Sequence, residues 1–224
     1  MKKAIAILLS LTMILVLAAC GNSASQTEQP STEDTSVESK ADTKSAESST
    51  DMENTDNQDV QDHKVLVAYF SATGTTKGVA EHIANGLNAD IYEIVPEEPY
   101  TDADLDYNDN NSRTTIEMND PNARPVISGS VENMEQYDTV FIGYPIWWGE
   151  APRIVSTFME SYDFSGKTIV PFCTSGGSGI GSSASNLESF TSGATWLDGR
   201  RLNGSDSQDT VMEWVNSLDL NLAE

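Results

Sequence analysis

Cysteine and histidine are scarce in this sequence. Its 224 residues include only two cysteines, Cys20 and Cys173, and two histidines, His63 and His82. Cysteines this few and this far apart cannot build a disulfide framework, and the four side chains lack the close spacing of a zinc site. Neither histidine has neighbours that would complete a catalytic triad. The sequence therefore predicts no metal site and no disulfide-stabilised scaffold.

Basic residues are also few. Lys and Arg together number 12 against 35 Asp and Glu, which gives a formal net charge of −23. Residues 64–224 alone carry 24 acidic and eight basic side chains, a net charge of −16. Such a surface repels both phosphate backbones and anionic lipid headgroups. Nucleic-acid binding and peripheral adhesion to anionic membranes are therefore excluded.

Long apolar runs are missing except at the start, where residues 4–19 are almost wholly apolar after Lys2 and Lys3. Sixteen residues is short for a spanning helix, which needs about 20. A basic start, a short apolar run and small residues at its end are typical of a secretory signal. The end of the run, Leu-Ala-Ala-Cys-Gly at residues 17–21, resembles a bacterial lipobox. The resemblance implies a lipidated Cys20; an ordinary signal peptide or an uncleaved anchor is the alternative.

Residues 21–63 are polar and acidic, with large apolar side chains only at Val37, Met52 and Val60. A segment of this composition cannot bury enough apolar surface to offset the entropy lost on ordering. We expect a disordered tether with a root-mean-square span of about 35–40 Å, extended further by its negative charge. The predicted organisation is thus a signal at 1–20, a tether at 21–63 and one domain at 64–224.

Residues 64–224 alternate between strand and helix patterns. Strands are predicted at 64–70, 90–95, 139–144, 168–173 and, more weakly, 194–197. Apolar residues at helical spacing follow these strands: Val79, Ala80, Ile83, Ala84 and Leu87; Ile154, Val155, Phe158 and Met159 after Pro152; Ile180, Ala184, Leu187 and Phe190; and Val211, Trp214, Val215 and Leu218. The alternation predicts an α/β domain with a doubly wound, five-stranded parallel sheet of order 2-1-3-4-5. The polar stretch 99–128 has no clear pattern.

The loop after the first strand, which we call the hydroxyl loop, consists of Ser71, Ala72, Thr73, Gly74, Thr75 and Thr76. Hydroxyls and free backbone N–H groups at the start of a helix suit a phosphate. A dinucleotide fingerprint would need three glycines, and a Walker loop would need Gly-Lys-Ser/Thr, so both are excluded. Lys77 is the only nearby cation, and the site does not require it.

Two further loops follow predicted strands. The tryptophan loop, residues 144–149, contains Pro145, Ile146, Trp147, Trp148 and Gly149. Two adjacent indoles suit a flat apolar ligand, and we expect one indole to line the site and the other to be structural. The glycine loop, residues 174–179, contains Thr174, Ser175, Gly176, Gly177 and Ser178, whose backbone can approach a ligand closely. Cys173, just before this loop, is expected to be a small buried core residue.

The hydroxyl loop resembles the phosphate loop Thr/Ser-x-Thr-Gly-x-Thr of the flavodoxin-like family, and the pattern Gly-Tyr-Pro-Ile-Trp-Trp-Gly with Thr-Ser-Gly-Gly-Ser-Gly is similar to a bacterial subgroup of it. The resemblance implies FMN as the cofactor, with the three loops contacting phosphate, ring and ring edge. Many flavodoxins place an aromatic side chain from the third loop on the outer flavin face. Here that loop contains only Gly, Ser and Thr, so we expect an open outer face.

This resemblance favours a redox protein that transfers electrons through FMN at the outer face of the membrane, where Cys20 would anchor it. A strongly acidic domain should lower the flavin potential and attract a partner with a basic docking face. Two alternatives stay open at this point. One is an FMN-dependent NAD(P)H or quinone oxidoreductase, and the other is a non-catalytic FMN-binding surface lipoprotein.

Overall fold

A computed structural model describes residues 64–220. The signal, the lipidated Cys20 and the tether predicted for residues 1–63 lie outside the described residues, as do residues 221–224. The described strands are Val65–Tyr69 (β1), Asp90–Glu93 (β2), Val95–Pro96 (β3), Ile127–Ser128 (β4), Thr139–Pro145 (β5), Thr168–Thr174 (β6), Thr195–Trp196 (β7) and Arg200–Leu202 (β8). The α-helices are Thr75–Leu87 (α1), Arg113–Asn119 (α2), Arg153–Glu160 (α3), Ser183–Glu188 (α4) and Gln208–Asn216 (α5).

The main sheet has the strand order β2-β1-β5-β6-β7, and all its neighbouring strands are parallel. β8 pairs with β6 further along that strand, beside residues 172–174. For the five predicted strands this is the order 2-1-3-4-5, which confirms the predicted fold class. Because parallel strands end at the same edge, the loops that follow β1, β5 and β6 lie side by side.

The core has two layers, one on each face of the sheet. Successive side chains of a strand point to opposite faces. Val67 and Phe141 thus pack with the apolar sides of α1 and α5, whereas Ala68 and Ile142 pack with those of α3 and α4. No helix within residues 64–220 is long and apolar enough to cross a membrane.

Three predicted elements differ from those in the structure. The strand expected at 90–95 ends at Glu93, and Val95–Pro96 instead forms an antiparallel pair with Ile127–Ser128. The strand expected at 194–197 is reduced to Thr195–Trp196, and the pairing with β6 resumes only at β8. The helix expected through Phe190 is the short α4, and Phe190 lies beyond its end with a half-exposed ring.

The unassigned stretch 99–128 contains α2 and β4. α2 begins after Ser112, whose hydroxyl accepts the backbone N–H of Thr115 at 3.4 Å and caps the helix. The preceding loop is held by Thr114, whose hydroxyl donates to the carbonyl oxygen of Asp104 at 2.6 Å. This packing brings a segment with no apolar periodicity close to the carboxyl edge of the sheet.

Candidate functional site

The hydroxyl, tryptophan and glycine loops enclose a cleft of about 320 Å³ at the carboxyl edge of the sheet. Its lining residues are Ser71, Ala72, Thr73, Thr75, Thr76, Tyr107, Pro145, Ile146, Trp147, Thr174, Ser175 and Gly176. Among the described residues, no Asp, Glu, Lys, Arg or His lines this cleft, although the domain is strongly acidic. One end of the lining is rich in hydroxyls and the other is apolar. Such a cleft suits a ligand with a polar end and a flat apolar end.

The hydroxyl loop leads directly into α1. Gly74 precedes the helix with a φ of 84°, a left-handed conformation that glycine adopts without a steric penalty. α1 then begins at Thr75, so the backbone N–H groups of its first turn have no partner inside the helix. These groups and the positive end of the helix dipole favour an anion at this point.

A buried hydrogen bond ties the hydroxyl loop to the glycine loop. The hydroxyl oxygens of Thr76 and Thr174 lie 2.8 Å apart, and both residues are buried. This pair fixes the separation of two loops that follow β1 and β6, which are not neighbours in the sheet. The walls of the cleft are therefore joined inside the fold without a ligand.

The tryptophan loop makes a two-residue turn. The backbone of Trp147 and that of Glu150 exchange two hydrogen bonds of 2.9 Å, with Trp148 and Gly149 between them at φ values of 49° and 82°. Positive φ at both central positions is typical of a type I′ turn. Glycine adopts this conformation readily, but a bulky tryptophan does not. Trp148 is therefore held in a strained conformation at the tip of the turn, and such strain clusters at functional sites.

The two indoles have different environments. Trp147 lines the cleft and is only 2% exposed, whereas Trp148 is 47% exposed and lies outside the lining. Trp147 therefore both lines the cleft and packs in the core, and the expectation that one indole lines the flavin while the other is structural stays a prediction. Its ring contacts Phe70 and Tyr100 edge-on, with centroid distances of 5.5 and 5.4 Å.

Tyr100 anchors this aromatic cluster from the stretch 99–128. Its hydroxyl donates to a carboxylate oxygen of Glu117 at 2.6 Å, and the guanidinium of Arg113 lies 4.1 Å from its ring centroid. Burial, reinforced by the Glu117 carboxylate, raises the pKa of Tyr100 well above its ordinary value. The Tyr100 hydroxyl is therefore protonated at neutral pH and acts as a donor that orients the ring against Trp147.

Tyr107 is the lining residue that the sequence reasoning missed. It lies in the stretch 99–128, is 58% exposed, and contacts Trp148 with a centroid distance of 5.2 Å. A segment other than the glycine loop thus contributes an aromatic side chain to the cleft, and the expectation of an open outer flavin face stays a prediction. The one sequence signal for Tyr107 as a lining residue is that it is an aromatic residue in a polar stretch rich in Asp and Asn.

Five of the predicted cofactor-binding residues lie beside the lining rather than in it, namely Gly74, Trp148, Gly149, Gly177 and Ser178. The two glycines at positive φ shape the turns. In the glycine loop, the hydroxyl of Ser175 donates to the carbonyl oxygen of Ser178 and accepts the Gly177 N–H at 3.3 Å. These bonds fold the loop so that Ser175 and Gly176 face the cleft.

Other polar groups near the loops have partners elsewhere. Lys77 forms an ion pair of 3.3 Å with Glu93, which also accepts the hydroxyl of Tyr69 at 2.9 Å. Cys173 is fully buried, and burial raises the pKa of its thiol to about 12. Within the described residues no group of His, Cys, Asp and Glu side chains is arranged to hold a metal ion.

The similarity to known proteins covers nearly all of the described residues. A sequence model of the family described as Flavodoxin matches residues 64–218. A protein from Bacteroides eggerthii, named as a candidate flavoprotein, is 49% identical with a TM-score of 0.67, over 70% of this chain and 99% of its own. One from Bacteroides uniformis, named likewise, is 47% identical with a TM-score of 0.66, over 69% and 98%.

A more distant solved structure shares the fold. It is a flavoprotein from Lactobacillus acidophilus in complex with FMN, which is 23% identical with a TM-score of 0.52, over 68% of this chain and 99% of its own. None of the curated proteins compared with the chain matches it.

Proposed function

The chain belongs to the flavodoxin family, and on that premise we propose that it binds FMN in the cleft and transfers electrons to or from a protein partner at the outer face of a membrane. The observation that carries this proposal is the convergence of a hydroxyl-rich helix start, a buried indole and a glycine loop around one uncharged cleft. FMN binding is expected from membership of the family, whereas the protein partner and the location at the membrane are our proposal.

The polar end of the cleft fits the FMN phosphate. The N–H groups at the start of α1 would bind its oxygens, and the hydroxyls of Ser71, Thr73 and Thr75 would add donors. The absence of a carboxylate from the described lining matters here, since a carboxylate would repel a phosphate. No cation is needed, because the helix start supplies the favourable field.

The apolar end fits the isoalloxazine ring. Trp147, held edge-on by Phe70 and Tyr100, offers a rigid aromatic wall, and Tyr107 adds a second aromatic side chain to the lining. The backbone of Ser175 and Gly176, which line the cleft, would contact the edge of the ring. When bound, the flavin supplies the electron-transfer chemistry, and the chain supplies orientation and electrostatics.

Charge supports transfer to a protein rather than to a small anion. Residues 64–220 carry 23 acidic and eight basic side chains. Asp102, Asp106 and Asp109 are exposed, and in the sequence they flank Tyr107, which lines the cleft. A negative field opposes added negative charge in the cleft and attracts a basic partner, both in a salt-dependent way. We therefore expect a flavin potential below that of free FMN that rises with added salt.

A second candidate function is an FMN-dependent oxidoreductase that acts on a small aromatic substrate such as a quinone. Tyr107 and Trp148 favour it, because both rings are half-exposed beside the cleft and a planar substrate could contact them. Steady-state oxidation of NADH with quinone acceptors distinguishes the two functions. Sustained turnover supports the oxidoreductase, whereas rapid stoichiometric exchange with a protein partner without such turnover supports the carrier.

The location rests on the sequence of residues 1–63. Under the proposal, Cys20 carries the lipid and residues 21–63 hold the domain away from the bilayer. Metabolic labelling with a radioactive fatty acid tests this, with a Cys20→Ser variant as the control. Label and membrane association that both disappear in the variant support the anchor, whereas an unlabelled wild-type protein contradicts it.

A further inference from the structure

The loop of residues 203–206, which we call the clamp loop, packs against the hydroxyl loop. A side chain at Gly204 would place its Cβ 2.5 Å from the Cγ2 of Thr75, closer than real Cβ atoms approach, and 3.7 Å from the Cβ of that threonine. Gly204 does not have a left-handed φ, so its backbone does not demand glycine. The reason for glycine at this position is therefore the proximity of Thr75.

Hydrogen bonds hold the clamp loop in a closed turn. The backbone N–H of Asn203 donates to the Asp206 carboxylate at 2.8 Å, and the N–H of Asp206 donates to the carbonyl oxygen of Asn203 at 3.0 Å. The Arg201 guanidinium donates to the side-chain oxygen of Asn203 at 2.8 Å. α5 then begins after Ser207, whose hydroxyl accepts the N–H of Thr210 at 3.3 Å. These hydrogen bonds restrain the clamp loop, so its backbone does not move easily.

A second glycine contact holds α1 against α5. A side chain at Gly86, near the end of α1, would collide with the thioether of Met212. The two helices also share one apolar layer, to which Val79 and Val211 belong. The C-terminal segment therefore contacts α1 near both of its ends, and this fixes where the first turn of α1 lies.

We propose that Gly204 is a positioning residue for the phosphate end of the cleft: it leaves room for the Thr75 methyl group, and the braced clamp loop thereby holds Thr75 in the rotamer that points its hydroxyl into the cleft. The inference rests on the proposed function. The Thr75 hydroxyl lies 3.5 Å from that of Thr73, and both residues line the cleft. A side chain at Gly204 displaces the methyl group, and rotation about the Cα–Cβ bond carries the hydroxyl away with it.

The test is a Gly204→Ala variant titrated with FMN and with riboflavin, which lacks the phosphate. A hydrogen bond to a charged group is worth enough that its loss weakens FMN binding about 10- to 100-fold. Riboflavin binding should stay within about twofold. Gly78→Ala is the matched control, because it makes the same substitution in the first turn of α1, where an added Cβ meets nothing within 4 Å.

A rescue variant separates rotamer control from general damage. Thr75→Ser keeps the hydroxyl and removes the methyl group, after which the nearest remaining Thr75 atoms lie at ordinary contact distance from an alanine at position 204. The double variant Gly204→Ala/Thr75→Ser should therefore recover most of the FMN affinity. Equal weakening of FMN and riboflavin, or failure of the rescue, would overturn the inference.

A direct measurement covers the case in which wild-type protein does not bind FMN, which would refute the proposed function. The side-chain torsion χ1 of residue 75, measured by NMR coupling constants on the ligand-free protein, should differ between wild type and Gly204→Ala. In the double variant the serine at this position should again favour the χ1 of the wild-type threonine. An unchanged Thr75 torsion in Gly204→Ala, with the clamp loop displaced instead, would overturn the inference whatever the ligand.

Discussion

The buried pair Thr76–Thr174 allows a sharp test of how the cleft is built. Thr76 is 1% and Thr174 3% exposed, and their hydroxyl oxygens are 2.8 Å apart. Valine has the branched shape of threonine without its hydroxyl. Replacing either threonine by valine therefore removes the bond with little change in packing, and it leaves the remaining hydroxyl buried without this partner.

The single and double variants should differ in stability, because only the single variants leave a buried hydroxyl without a partner. Each single variant should lose about 1–3 kcal/mol of unfolding free energy, since a buried hydroxyl without a partner has a full desolvation penalty. The double variant should lose only about 0.5–1.5 kcal/mol, because no polar group is then stranded. The two single losses sum to about 2–6 kcal/mol, so the coupling energy between Thr76 and Thr174 is expected to be about 1.5–4.5 kcal/mol.

Urea unfolding of the ligand-free protein, followed by circular dichroism, measures these differences. With a denaturant slope of about 2 kcal/mol/M, each single variant should unfold at about 0.5–1.5 M lower urea than the wild type. The double variant should unfold between the single variants and the wild type. Strictly additive losses would show that the two hydroxyls do not bond to each other in solution, and the cleft would then not be joined in the way described.

Three further predictions concern stability and reactivity. Trp147→Ala should cost about 3–5 kcal/mol because it empties a buried aromatic cluster, whereas Trp148→Ala should cost clearly less because its ring is half-exposed; equal losses in urea unfolding would contradict the assigned roles. Tyr92→Phe should raise the unfolding free energy by about 1–2 kcal/mol, since the Tyr92 hydroxyl is buried without a hydrogen-bond partner among the described residues; a loss of stability would reveal a bound water or another partner. The Cys173 thiol, buried and with a pKa raised to about 12, should not react with Ellman's reagent at pH 8 until the protein unfolds; rapid reaction of the folded protein would refute its burial.

The buried strands and the three loops could be predicted because their signals are local. Residues 139–144 form a continuous apolar run that only a strand covered on both faces explains. The hydroxyl loop is recognisable from its own six residues. Once β1, β5 and β6 lie side by side, the topology alone brings these loops together, and no long-range contact has to be guessed.

The features missed by the sequence reasoning depend on long-range packing. Tyr107 lies in a polar stretch whose position is set by the contacts of Tyr100 with Trp147 and of Thr114 with Asp104. Nothing in its own neighbourhood indicates a cleft. Trp147 is buried and Trp148 is exposed because of the turn in which both lie, and the sequence does not reveal the φ values of that turn. A tryptophan rarely adopts a positive φ, so Trp148 would not be expected at this position.

The strand predicted at 194–197 is only partly correct for a related reason. Residues 194–197 pair with β6 over only two positions, and the chain then passes Gly199, where an added Cβ would lie 2.5 Å from Ile180 and 2.7 Å from Pro171. The pairing resumes at Arg200, the first residue of β8, after three intervening residues. From Trp196 to Arg200 the chain advances four residues while β6 advances three, from Ile169 to Phe172, and a pattern of apolar residues cannot show such a local mismatch in register.

Titration of the ligand-free protein with FMN, followed by quenching of flavin fluorescence, tests the central claim most directly. The cleft described here predicts saturable binding of one FMN per chain, with riboflavin bound more weakly because it cannot use the N–H groups at the start of α1. A protein that leaves FMN fluorescence unchanged at micromolar concentrations, or that binds riboflavin as tightly as FMN, would contradict the assignment of the hydroxyl loop to the phosphate.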